Sequence, residues 1–207
     1  MQQAQNDPSV VLILGGSRAR ELAAVRAAVT TIPSARIVVL SSGALALNDL
    51  EQAISDAGGR KLPCVADRTA LDTVTNFTSL AAPLAAAGAK CVAVATDAAH
   101  STRAIPVGRI ILGWYGIRTW PLIVQSVEVP VADPSETRLR TVRDVLRALL
   151  WVLIGFDGST LAARVHPSRA ADVRAWRDSK QGGGHDAARA GALSRALTAA
   201  LARGDHG

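Results

Sequence analysis

Aromatic residues are scarce in this chain, with two Phe, one Tyr and four Trp among 207 positions. A single-stranded nucleic-acid platform needs stacking rings on a basic face, and the basic surplus lies in the wrong place for one. Of the net charge of +6, residues 1–134 hold eleven Lys/Arg against ten Asp/Glu, whereas residues 159–207 hold eight against four. Nucleic acid is therefore not an expected partner. Cysteine is rarer still. Cys64 and Cys91 each open a short apolar run and read as ordinary buried thiols, so no disulfide framework is expected and a reducing compartment is the default. The longest apolar run, 148–156, is about half the roughly 20 residues that a spanning helix needs. The polar start, 1–9, shows neither the basic nor the apolar region of a signal peptide. These absences predict a cytoplasmic protein with no transmembrane segment and at most a peripheral contact with membrane.

Aliphatic residues dominate the 49% hydrophobic content. That is enough for one substantial core, and it suits a parallel sheet covered on both faces by helices. Apolar runs at 10–14, 37–40, 63–66, 91–95 and 117–124, with a further one at 127–129, alternate with helical spacing at about 20–29, 47–57, 73–87, 102–112 and 133–154. Pro83 predicts a kink or an early end in the third helix, and Pro106 is expected near the first turn of the fourth. The alternation yields right-handed β-α-β units, hence an α/β fold with a mostly parallel sheet. The fifth helix opens on Asp133-Pro134-Ser135-Glu136, with Asp as cap, Pro at the first position and Glu reaching back. It carries Leu139, Val142, Leu146, Leu149 and Leu153 on one side and Arg140, Arg143 and Arg147 on another. That pattern reads as core packing, with a membrane-surface or partner helix as the alternative. One domain over 1–158 is expected, then a basic Ala/Arg/Gly-rich extension over 159–207. From 168 onward it offers few large apolar residues, so it is expected to dock loosely and add little stability.

Four polar segments follow four of the strands: Gly15-Gly16-Ser17-Arg18, Ser41-Ser42-Gly43, 67–72 and 96–103. A parallel sheet gathers them on one edge, where open α/β sheets place their ligands. Gly15 and Gly16 let the backbone pass close to a ligand, and the helix after them offers N–H groups to an anion. The segment is neither a P-loop nor a dinucleotide fingerprint. Ser42 and Gly43 stand where a nicotinamide enzyme would carry its acidic ribose ligand, which argues against a dehydrogenase. His100 and Arg103 are three apart and share a helix face. Cations at the positive end of a helix point to a bound anion or a partner carboxylate, and Arg18 is expected to join them. Asp97 reads either as a helix cap or, with Asp72, as the base or the group orienting His100. Asp72 reads equally as a cap, with Thr73 and Asn76 turned to solvent or to a ligand. Ser17 and Ser42 read as phosphate or hydroxyl contacts or as turn residues, and no Gly-x-Ser-x-Gly elbow makes either a nucleophile. Asp67, Asp72, Asp97 and His100 carry ligand chemistry for a metal but no tight spacing such as His-x-x-x-His, so none is expected.

The order Leu14-Gly15-Gly16, Ser42-Gly43, Asp72-Thr73-Val74-Thr75-Asn76 and Thr96-Asp97-Ala98-Ala99-His100-Ser101-Thr102-Arg103-Ala104 resembles the YdcF/SanA/ElyC-type family, over about residues 10–125. The stretch from Leu149 to Gly155 is similar to its cyanobacterial-type members. The resemblance implies a three-layer, doubly wound, Rossmann-like fold, a site at the strand tips and a link to the cell envelope. It also implies a nucleotide-like or S-adenosylmethionine-like ligand beside the small anionic one that the cations suggest, with Thr96 among its contacts. Thr75 replaces the family's glutamate and Asp97 its serine, which implies altered chemistry or binding without turnover. Glu51 stands for the family's acidic residue on the second helix. The competing expectation is a non-catalytic protein that docks on a membrane surface or an acidic partner through the Arg-rich helix and the basic extension.

Overall fold

The computed structural model describes residues 7–58, 61–125, 134–155, 171 and 185–202. Strands β1 (Val10–Leu14), β2 (Ile37–Ser41) and β4 (Cys91–Asp97) are buried at every position. Side chains alternate between the two faces of a strand, so each of these strands needs cover on both sides. On one side Val11, Ile13, Val38 and Leu40 pack against Val25 of α1 (Arg18–Thr31) and Leu50 and Ile54 of α2 (Leu47–Gly58). On the other, Val10, Leu12, Val39 and Val94 meet Val74, Phe77 and Leu80 of α3 (Thr73–Ala86) and Val107 and Ile111 of α4 (Ala98–Trp114). Strands β3 (Cys64–Asp67) and β5 (Arg118–Val124) form the edges. The order is β3-β2-β1-β4-β5, and every pair is parallel. This is a doubly wound, Rossmann-like α/β fold in three layers. The chain order reverses between β1 and β4, where the helices that follow the two strands leave toward opposite faces and open a crevice at the strand ends.

Local chemistry moves some boundaries from where the sequence puts them. Helix α4 starts at Ala98, not near Thr102, because the Asp97 carboxylate accepts from His100 N at 2.7 Å and caps it. Pro106 therefore lies inside the helix and not in its first turn. Helix α3 runs through Pro83 to Ala86 without ending early. Its Leu80, Ala81 and Leu84 are fully buried, and that packing outweighs the one hydrogen bond proline removes. Pro121 sits within β5, an edge strand, where proline is tolerated. The further run at 127–129 and the cap Asp133 lie outside the described residues.

Helix α5 (Pro134–Ile154) packs on the α4 side through Ala148, Val145 and Trp151, and the Trp151 ring lies 6.1 Å from that of Tyr115. Its leucine stripe does not pack into the core: Leu139 and Leu153 are each 74% exposed, and Val142, Leu146 and Leu149 are exposed as well. Asp144 and Arg147 turn inward instead. Helix α6 (His185–Ala202), from the extension expected to dock loosely, belongs to the main core. Leu197, Ala200 and Leu201 are buried in the same cluster as β1 and α3, and Arg36 Nη1 donates to the Leu201 carbonyl at 2.6 Å. Small residues let this helix approach closely, so Leu197 and Leu201, with the partly buried Leu193, suffice to seat it. Leu197→Ala is expected to cost about 2–3 kcal/mol by urea unfolding, as for other fully buried leucines; a cost below 0.5 kcal/mol, about the scale of a surface substitution, would show that the helix contributes little.

Candidate functional site

Two loops meet at the crevice because glycine lets them touch. Gly15 N donates to Ser41 O at 2.7 Å, and a Cβ on Gly15 would lie 2.3 Å from Ser42 O. A Cβ on Gly16 would collide with the Arg20 guanidinium. Ser42 adopts φ 57°, an uncommon left-handed conformation for a side chain-bearing residue. Its N–H donates to Asp67 O at 2.7 Å, and its hydroxyl lies 2.7 Å from Ala70 O and 2.8 Å from Asn76 Oδ1. Below both loops sits Glu21 of the first turn of α1, fully buried. Its carboxylate accepts from Gly16 N, Ala44 N and Leu45 N, each at 2.9 Å. One side chain thus ties the loop after β1 to the loop after β2.

The two aspartates expected to work with His100 are both caps held by arginine. Asp72 accepts from Thr75 N at 3.0 Å, closing a capping box with the Thr75 hydroxyl, and from Arg147 Nη1 of α5 at 2.6 Å. Burial alone would raise its carboxyl, but the cap bond and the Arg147 charge outweigh burial and hold it below the usual carboxylate range. Asp97 is held low in the same way, against burial, by His100 N and by Arg20, whose Nη1 is 2.7 Å away. Arg20 Nη2 also donates to Gly15 O. The His100 Nδ1 lies 2.9 Å from Arg103 Nη2. A guanidinium only donates, so Nδ1 is the acceptor in this contact.

Helix α5 supplies the remaining wall. Asp144 is buried, with Arg143 Nη2 at 2.8 Å, Arg103 Nε at 3.6 Å and Arg147 Nη1 at 3.7 Å. Burial, followed by the neighbouring Arg143 and Arg140 charges, pulls the Arg103 guanidinium below its ordinary value against the opposing pull of Asp144. The buried Nε atoms of Arg20 and Arg103 have no hydrogen-bond acceptor among the described residues.

These groups enclose a cavity of about 350 Å³. Of the residues expected there, Gly15, Gly16, Ser42, Asp72, Thr73, Asn76, His100 and Arg103 line it together. Asp97 does not line it but acts behind it, through Arg20. Arg18 is on the outer surface, paired with Asp49 at 2.9 Å. Ser17 caps α1, Gly43 packs over the Leu40 side chain, and Thr96 is fully buried within β4, its hydroxyl without a partner among the described residues. Glu51 lines a separate cavity with Cys64, whose thiol is pushed up to about 11 by burial and by the Glu51 charge. The sequence reading missed Arg20, Arg140, Arg143 and Asp144 of the lining, and with them Glu21 and Arg147 behind it. The α5 arginines were visible as a face of that helix, but nothing in the pattern told which face turns inward.

In comparisons with known proteins, no family model, no curated protein and no solved structure matches the chain.

Proposed function

We propose that the protein binds a small phosphate-bearing ligand in the crevice between β1 and β4. One observation carries the reading. Arg20 pairs with Asp97 and Arg147 with Asp72, whereas Arg103 and Arg143 share the single carboxylate of Asp144. Among the described residues positive charge therefore exceeds negative in a partly desolvated cavity, and a bound anion would offset the excess. Arginine also presents a planar fork that matches phosphate oxygens. Binding fits these residues better than turnover does, because Asp72 and Asp97 are engaged as caps and in ion pairs and the Ser42 hydroxyl is engaged by its own neighbours. The motif order that resembles the YdcF-type family supports the same crevice, and that resemblance alone carries a role in envelope metabolism. Cys64 and Cys91 are free thiols, which supports placing the protein in a reducing cytoplasm.

Titration calorimetry with inorganic phosphate tests the reading. Arg103→Ala is expected to weaken binding about 30-fold, the scale of losing a hydrogen bond to a charged group at roughly 1.5–3 kcal/mol. Arg103 is not the exposed side chain its position suggests, being 23% exposed beside Asp144, so a melting curve must accompany the titration. An unchanged phosphate affinity in the folded variant would refute the assignment. Docking on a membrane surface or an acidic partner through α5 and the extension is the weaker reading: Arg143 and Arg147 are engaged with Asp144 and Asp72, and Arg140 lines the cavity. Pelleting with anionic vesicles in the same buffer measures that alternative directly.

A further inference from the structure

We infer that the ligand is a phosphorylated sugar or polyol and not a nucleotide, an inference that rests on the phosphate-binding reading above. The described lining of the cavity contains no aliphatic side chain and no Phe, Tyr or Trp; its one ring is the imidazole of His100. A nucleobase is held by stacking on a ring and by burial between apolar side chains; the described lining offers only the small His100 ring, itself bonded to Arg103, and no apolar side chain for the opposite face. A sulfonium cofactor would bring positive charge to a wall that holds Arg20, Arg103, Arg140 and Arg143. The volume of about 350 Å³ lies near the lower end of the roughly 300–1,000 Å³ of small-molecule sites, a size for a compact ligand.

The polar groups are sorted by side. Helices α4 and α5 contribute Arg103, Arg140 and Arg143, which suit a phosphate. The loop after β2 and the start of α3 contribute Ser42, Asp72, Thr73 and Asn76, which suit hydroxyls. Asn76 Oδ1 accepts the Ser41 hydroxyl at 2.9 Å and lies 2.8 Å from that of Ser42, an arrangement that turns the amide hydrogens away from the two serines. Asp72 keeps further acceptor lone pairs beyond those taken by Thr75 and Arg147. Neighbouring hydroxyls of a sugar each donate and accept, and a wall of carboxylate, hydroxyl and amide groups serves both roles. A site built to hydrogen-bond hydroxyls discriminates strongly against ligands that lack them.

The test is calorimetry on the full-length protein with inorganic phosphate, glucose 6-phosphate, ribose 5-phosphate, glycerol 3-phosphate and adenosine monophosphate in one buffer. At least one of the three sugar or polyol phosphates is expected to bind tenfold or more tighter than phosphate, with the nucleotide within threefold of phosphate. Thr73→Val is expected to weaken that best ligand more than it weakens phosphate. If all three bind no tighter than phosphate, or the nucleotide binds tightest, this inference is overturned while the phosphate site stands. If phosphate and all the others fail to bind, both readings fall together.

Discussion

Glu21→Ala is expected to destabilise the protein by about 4 kcal/mol, the largest single effect anticipated here. The carboxylate satisfies three backbone N–H groups, those of Gly16, Ala44 and Leu45, in a position with no solvent exposure. Each buried donor left without an acceptor costs about 1–3 kcal/mol. Relief of the desolvation of Glu21 itself and entry of water into the space offset part of that sum. Glu21→Gln keeps the shape and one acceptor oxygen but sets an amide N–H₂ against a backbone donor, so about half the loss is expected. Urea unfolding at neutral pH reads both. Because Gly16 and Ser42 line the cavity and Glu21 holds their loops together, phosphate affinity should fall with stability. A loss under 1 kcal/mol for Glu21→Ala would mean that the loops hold each other without the carboxylate.

Glu21 also shows why part of the site was hidden in the sequence. The strands are legible because β1, β2 and β4 are apolar at nearly every position, which only a doubly covered parallel sheet requires. The crevice is legible because topology alone brings the four strand-tip segments to one edge. The rotation of α1 is not. Its buried side is Glu21, Ala24, Val25 and Ala28, a helical stripe whose first member is charged and so breaks the apolar pattern. Arg18 and Arg20 lie about 200° apart around a helix of 3.6 residues per turn, so when Arg20 faces the crevice Arg18 faces solvent and meets Asp49. Helix α5 misleads in the same sense. Its leucines form the conspicuous stripe, yet Ala148, Asp144 and Arg147 form the buried one, because the site draws charged groups inward and leaves large apolar ones outside. In α6 the number of large apolar residues was a poor guide, since Leu197 and Leu201 with Ala200 between them make a seat that composition does not reveal.

Arg147→Met is expected to cost about 3 kcal/mol at pH 7, and the cost should shrink as the solution is acidified. The pair it breaks is largely removed from water, with Arg147 13% and Asp72 11% exposed, and removing one partner of such a pair leaves an uncompensated charge worth about 3–5 kcal/mol. The remaining Thr75 cap bond places Asp72 at the lower end of that range. The sign of the pH effect follows from the direction of its shift. The folded carboxyl lies below its ordinary value of 3.8, so its contribution to stability is complete above that value and is lost as pH falls through the folded pKa. Asp97 behaves alike through Arg20. Wild-type stability should therefore decline below about pH 4. In the variant the cation that lowers the carboxyl is gone while burial still raises it, so Asp72 takes up its proton at a higher pH than in the wild type. As the pH falls further, through the folded pKa of wild-type Asp72 below 3.8, the wild type loses the contribution of the pair as well and the difference between the two proteins should narrow. A difference that stays constant between pH 7 and pH 3 would assign the loss to packing alone. The phosphate site should report the same event, because Arg147 anchors the helix that carries Arg140, Arg143 and Asp144 to the cavity, and a loosened α5 withdraws three lining residues at once.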